Sequence, residues 1–413
     1  MARDTLQYYS LYLVTFASSF GFITVVTLLP TYIDLLDPSG ALVGLFVSAL
    51  AIARAVGLVP IAWAGDRYDK RTMLLVSLAV SVLAYVAFTF VETSYGFLTA
   101  RVLQGLGIVG TGLLGLALVS ELAPAGERAN VIGTYNGWRM AAGILGTLGA
   151  GALYQFAGFG AVFGLLAVLL VLALVGVGRF VPPDETSVEG FAFTGLALNR
   201  RIATITSFRA QYAVSVTLVR NWVPIYVGVS AARGGLAASA LAVGTVVAAE
   251  KFTNMLGQPR TGRLSDRYGR AAFVAFGGTV YGLVALAVPF APRLAASLSF
   301  SVDLPLGLVL TPTLLVVFLL NAMLGVADSF REPASMATFA DEGVGSGIAS
   351  SFGVRNIVWL PGSILAPVVG GVLMESVGMQ WVFVLGGVTA LTGVATFLGV
   401  LTYSHGRAGI TKW

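Results

Sequence analysis

Ala62 to Arg71 reads AWAGDRYDKR, and Gly262 to Ala271 reads GRLSDRYGRA. The triplet Asp66-Arg67-Tyr68 returns as Asp266-Arg267-Tyr268, each copy set between long apolar blocks. A charged loop duplicated between apolar blocks is the mark of a chain built from two similar membrane halves, and such repetition is common in transporters. Other residues recur at one constant offset: Asn136 as Asn356, Gly151 as Gly371, Gly158 as Gly378 and Phe163 as Phe383.

Composition agrees with that reading. Of 413 residues, 57% are hydrophobic and 10% are charged, whereas a soluble domain carries about 25% charged residues. The apolar blocks run to roughly 20 residues, enough at about 1.5 Å per residue to cross a hydrocarbon core of about 30 Å. They lack strand-like alternation, so helices and not a barrel are expected to span the membrane. The blocks place helices near 10–33, 41–63, 73–91, 96–118, 130–152, 160–180, 203–228, 236–256, 271–291, 311–333, 350–372 and 380–403. The first block is too long for a signal-peptide core and reads as a retained helix. The expected fold is an all-α membrane protein of 12 transmembrane helices in two pseudo-symmetric six-helix bundles, 1–180 and 202–413, joined by a polar cytoplasmic linker, 181–201. The apolar-leaning loop from Pro292 to Pro312 is longer than its first-half counterpart and is expected to lie along the outer surface.

Orientation follows from Lys and Arg placement. With the amino terminus inside, the outer loops hold only Arg233 and Arg293, and the other loop cations fall on the inner side; the positive-inside rule therefore puts both termini and the linker in the cytoplasm of a multi-pass cell-membrane protein. The same rule accounts for the basic loops, so no nucleic-acid partner is implied. Cysteine is absent and the single histidine, His405, is near the carboxy terminus. No thiolate metal site or cysteine nucleophile is available, no acidic metal cluster falls in a span, and neither enzyme chemistry nor a cofactor or metal is expected.

The repeated loop resembles the G-x-x-x-D-R/K-x-G-R/K-R/K loop of the major facilitator superfamily. Gly262 to Arg270 fits it well; the first copy has Ala62 and Asp69 where glycines are usual, but keeps Asp66, Arg67, Lys70 and Arg71. Arg101-Val-Leu-Gln104-Gly105 resembles the fourth-helix R-x-x-Q-G pattern of proton-coupled members. The glycine-proline signature of drug antiporters fits poorly, since the run from Gly143 to Gly151 has no proline. The resemblance implies alternating access of a small-molecule substrate, latched by loops carrying Asp66, Arg67, Arg71, Asp266, Arg267 and Arg270. It also implies a central cavity lined by helices one, four, seven and ten.

Charges inside spans are costly, at about 2.5–3.5 kcal/mol each on insertion scales, and mark sites or paired networks. The cations Arg54, Arg101, Arg139, Arg209, Arg220, Lys251, Arg331 and Arg355 face only three acids, Glu250, Asp328 and Glu332. Helical phase puts Asn321, Asp328, Arg331 and Glu332 on one face of helix ten, and Arg209, Tyr212 and Arg220 on one face of helix seven. Arg101, Arg209, Tyr212, Arg220, Asn321 and Asp328 are therefore the expected cavity residues, with Asp328, Glu250 and Glu332 as proton carriers. The resemblance, in which helix five packs on helix eight and helix two on helix eleven, implies a gate holding Arg139, Glu250, Arg331 and Arg355, with Arg139 facing Glu250; the alternative for the inner cluster is a static network of pairs, such as Arg331 with Asp328 or Glu332. Arg220 is placed in the outer half of its span, away from the acids of the inner half, and so reads as a substrate contact.

The excess of cations leans towards an anionic solute, because a carboxylate or phosphate would supply charge-assisted bonds to arginines otherwise unpaired. The expectation is thus a monomeric, lipid-embedded secondary active transporter, coupled to protons or another ion and moving a small organic solute. Alternatives are a multidrug or amphiphile–proton antiporter, or a flippase for a lipid-type substrate on the same scaffold.

Overall fold

The structure, a computed structural model, describes residues 2–124, 127–183, 200–342 and 348–406; the centre of the expected linker lies outside them. Its first four helices are α1 (Ala2–Leu36), α2 (Gly40–Arg67), α3 (Lys70–Thr89) and α4 (Ser94–Leu122). The helical run Arg128–Phe180 is broken once, at Gly158 with φ 69° and ψ −172°, which divides it into α5 (128–157) and α6 (159–180). There follow α7 (Arg200–Gly228), α8 (Ala240–Tyr268), α9 (Arg270–Ala287), α10 (Pro312–Glu342), α11 (Ile348–Ser376) and α12 (Met379–His405). Between α9 and α10 lie one helical turn, Ala291–Leu294, and an antiparallel hairpin of β1 (Val302–Leu304) and β2 (Leu308–Leu310).

Among the described residues nine helices are long and apolar enough to cross a membrane, with Asn130–Phe180 counted once. The two long helices outside that set are α7 and α8, which hold Arg209 and Arg220, and Glu250 and Lys251, within their length. The chain is a multi-pass membrane protein.

Two compact units form, one on α1–α6 and the other on α7–α12 together with residues 39–44. In the first, α1 packs against α5 and α6, and α3 against α4. In the second, α10 packs on α8 and α9, and α12 on α7 and α9. The repeated residues have a structural meaning. Gly158 and its counterpart Gly378 (φ 122°) both take positive φ at the junction between the fifth and sixth helices of their units, where a side chain would be strained. Phe163 and Phe383 are both fully buried, one ringed with Tyr32 and the other with Tyr226.

The departure of the first loop from the family pattern is also explained. Gly269 sits at φ 99°, but Asp69 at the equivalent place has φ −65° and ψ 118°. There it caps α3, its carboxylate accepting from the backbone N–H of Arg71 at 3.0 Å and of Thr72 at 3.1 Å. A glycine that turns the chain has been exchanged for a side chain that satisfies orphan helix donors.

Candidate functional site

Packing of α8 against α10 brings the site together. Gly325 on α10 leaves no room for a Cβ beside the Glu250 carbonyl and Thr253, so the two backbones approach closely, as small residues permit in membranes. Thr253 Oγ1 donates to the Ala322 carbonyl at 2.8 Å and Asn321 Nδ2 to the Val246 carbonyl at 2.6 Å. Asn321, expected in the cavity, is buried and spends its amide on holding these helices together.

On that platform sits a network of two arginines and two carboxylates. Asp328 is completely buried. Its Oδ1 accepts from Arg331 Nε at 2.8 Å and Nη2 at 2.7 Å and from the Tyr212 hydroxyl at 3.2 Å. Its Oδ2 accepts from Arg220 Nη2 at 2.5 Å, while Arg220 Nε donates to Glu250 Oε1 at 2.6 Å. The Arg331 guanidinium lies 4.4 Å from the Tyr212 ring centroid, adding a cation–π contact. Formal charge cancels within this group of four. Its exposed member is Arg220, whose side chain is 37% open while those of Glu250 and Asp328 are 8% and 0%.

Arg220 was expected to lack an acid at its depth, and the structure corrects this: it bridges two. Helices α8 and α10 run on to Tyr268 and Glu342, well past the ends that hydropathy suggested, so Glu250 is nearer the Ala240 end of α8 and Asp328 is at the middle of α10. The long arginine side chain covers the remaining difference. Glu250, expected opposite Arg139, is held by Arg220 of its own unit; Arg139 itself is exposed on α5. Arg331 pairs with Asp328, and Glu332 is half-buried beside it.

Arg209, nearer the start of α7, is only 5% exposed. Its Nε donates to the Arg355 carbonyl at 2.7 Å, and its guanidinium stacks 4.6 Å from the Trp359 ring centroid. Among the described residues no carboxylate lies within ion-pair distance of it. Arg355 thus enters the site through its backbone. Trp359 gave no signal in the sequence beyond standing one helical turn from Arg355.

In the first unit Arg101 is buried, with Nε donating to the Phe46 carbonyl at 3.0 Å and Nη1 to Gln104 Oε1 at 2.8 Å. Gln104 Nε2 in turn donates to the Tyr85 hydroxyl at 2.9 Å. This ties α4 to α2 and α3, so the R-x-x-Q pattern here builds a scaffold around the guanidinium. Tyr85, fully buried at its centre, was not legible in the sequence.

The repeated loops make contacts inside their own units. Asp266 accepts from Arg270 Nε at 3.1 Å and Nη2 at 2.9 Å. Arg71 donates to the carbonyls of Val177 and Gly178 at the end of α6, favourable at the negative end of a helix dipole. Lys70 meets Glu121 at 3.0 Å. Arg67 stacks over Trp63, and Arg267 over Tyr268. Among the described residues no group of three or more His, Asp or Glu side chains could hold a metal ion.

The fold and this internally repeated, charge-bearing helical core define a polytopic membrane protein of duplicated design. The family model described as Major Facilitator Superfamily matches residues 11–300 and 202–409, and the chain belongs to that superfamily. It is 22% identical over 327 residues to the human chromaffin granule amine transporter, covering 78% of this chain and 58% of that one. Over 125 residues it is 28% identical to the multidrug transporter MdfA of Yersinia pestis, 30% of each chain. An uncharacterized MFS-type transporter of Mycobacterium tuberculosis is 26% identical over 198 residues, 47% of this chain and 33% of the relative. The chain thus spans between 30% and 58% of the length of these three relatives. Among solved structures, a bacterial homolog of the human lysosomal transporter Spinster, in an inward-facing and occupied conformation, superposes with TM-score 0.70 at 17% identity over 95% of this chain and 96% of that one. The nucleoside transporter NupG gives TM-score 0.70 at 16% identity over 95% and 99%.

Proposed function

We propose that the chain is a secondary transporter of the cytoplasmic membrane, working by alternating access as a monomer with both termini inside, and that it moves a small organic anion coupled to protons. The observation that carries the anionic reading is Arg209. Once Arg220 and Arg331 are neutralised by Glu250 and Asp328, Arg209 remains a buried guanidinium with a carbonyl and an aromatic face but, among the described residues, no carboxylate at ion-pair distance, Glu332 acting on it only from farther off. A buried charge without a partner is unfavourable, and a solute carboxylate or phosphate would satisfy its remaining N–H donors.

Proton coupling fits the Arg220 network. Protonating Glu250 or Asp328 removes one of the two anions that hold Arg220 and frees donors on a side chain already partly open. Anion binding at Arg220 and protonation of its former partner then favour one another, as linkage requires. The loops at Asp66 and Asp266 are the latch that the family resemblance suggests.

A second reading is an antiporter for cationic or amphiphilic solutes. It is favoured by the two buried carboxylates, which could pair with an amine, and by likeness to relatives named as amine and multidrug transporters. Ligand-induced thermal stabilisation separates the two, since anything that binds the folded state alone raises stability by about 2.7 kcal/mol at a hundredfold Kd. The anion reading expects organic carboxylates or phosphates to raise the melting temperature of the wild type and not of Arg209→Gln. Stabilisation by amines, unchanged in Arg209→Gln and lost in Glu250→Gln, would establish the second.

A further inference from the structure

The segment between α9 and α10 is built for an apolar surface. From Phe290 to Thr311 only Arg293 and Asp303 are charged, yet Leu294, Leu298, Val302, Leu304, Leu306 and Val309 are all exposed, by 37% to 55%. Exposed leucines scattered singly need no explanation, but a contiguous run of this size does.

The hairpin tip is the most telling part. Strands β1 and β2 pair Val302 with Leu310 and Leu304 with Leu308, leaving Pro305, Leu306 and Gly307 to turn the chain. Leu306 has φ 66° and ψ 20°, and Gly307 has φ 71°. A turn with two successive positive φ values selects Asn or Asp before Gly, and a leucine in the left-handed region carries a steric penalty. In water this residue is disfavoured twice, by its backbone and by its 55% exposed side chain. An apolar surrounding removes the second penalty and gives the leucine a reason to be there.

Continuity with the membrane identifies that surrounding. The segment leaves one apolar helix run, Arg270–Leu294, and enters another, Pro312–Phe339, and between them Asp303 is the sole charged residue. It lies at the end of α9 away from the Asp-Arg-Tyr loop that starts that helix. The free edge of β1 keeps backbone groups that need water, so full immersion in hydrocarbon is excluded and the boundary between headgroups and acyl chains is the depth that serves both demands.

We propose that residues 290–310 form a lipid-docking element, with the Leu306 tip inserted at the headgroup–acyl boundary of the leaflet opposite the Asp-Arg-Tyr loops. The inference does not depend on the solute or on the coupling ion. The chain has no cysteine, so Leu306→Cys, Leu304→Cys and Ala232→Cys each create one thiol, the last in the exposed turn between α7 and α8 as a water control. Each variant is labelled with a small fluorophore and reconstituted at low protein-to-lipid ratio, then quenched by aqueous iodide or by lipids carrying a nitroxide near the headgroup. The expected result is several-fold weaker iodide quenching and several-fold stronger lipid quenching at 304 and 306 than at 232. Equal iodide quenching at all three positions would overturn the proposal in favour of a solvated loop. Protection from both quenchers would overturn it too, pointing to a protein contact, and a dependence of that protection on protein density would identify a second copy.

Discussion

Both carboxylate oxygens of Asp328 accept bonds, Oδ1 from Arg331 and Tyr212 and Oδ2 from Arg220, and this decides how its neighbours respond to substitution. Removing one partner from a buried pair costs about 3–5 kcal/mol in soluble proteins. Arg220→Met and Glu250→Gln are each expected to lower the melting temperature in detergent, and the double variant to lose less than their sum, with a coupling of about 1 kcal/mol or more. Additive losses would break the link between them. The two loop copies make three further predictions. Asp69→Ala removes a helix cap and is expected to cost about 1 kcal/mol; Gly269→Ala forces a side chain to φ 99° and is expected to cost about 1–3 kcal/mol, while Asp69→Gly costs only a few tenths. Chemical denaturation of the purified variants measures each. At this scale the sequence disclosed residue types and helical phase but not partners. Arg331 with Asp328, three apart on one helix, was readable because helix geometry sets it. The partners of Arg220 were not, because depth read from hydropathy assumes that helices stop where the hydrocarbon does.

The pair α8 and α10 behaves as one element, since the bonds joining them run from Asn321 and Thr253 to backbone carbonyls and carry no titratable group. Helix α7 is tied to that pair through Arg220 and Tyr212, whose partners are the carboxylates of Glu250 and Asp328. In the proposed coupling, a proton taken up there would act on the α7 contact and leave the α8–α10 contact intact. Gly325→Ala should push α8 off α10, destabilise the second unit and weaken solute binding, whereas Gly112→Ala, with open space around the added methyl, should be neutral or stabilising by up to about 1 kcal/mol. Similar melting temperatures for the two would contradict the packing argument. Element existence was plain in the sequence, because twelve apolar runs admit few other readings. Element ends were not: α8 continues to Tyr268 and α10 to Glu342 as charged extensions, and α5 passes into α6 through Gly158 alone, with no polar loop to mark the boundary.

On the scale of the whole molecule, duplication organises the protein, and its two halves have diverged in chemistry. Arg101 in the first unit is enclosed by Gln104 and the Phe46 carbonyl, whereas the second unit gathers acids and bases around α7, α8 and α10, with Arg209 meeting no carboxylate at ion-pair distance among the described residues. The proposed function draws on this asymmetry, assigning solute binding and coupling to the second unit. In the proposed mechanism Arg209 binds the solute and Asp328 with Glu250 carries the proton. Uptake into proteoliposomes tests this, with organic anions, cations and neutral amphiphiles each supplied with and without a pH gradient. Wild type would be compared with Arg209→Gln, Asp328→Asn and Glu250→Gln. The predicted result is uptake of an anion, lost in Arg209→Gln, and accelerated by the gradient in wild type but not in at least one carboxylate variant. Transport of cations or neutral compounds that is indifferent to Arg209 would contradict it.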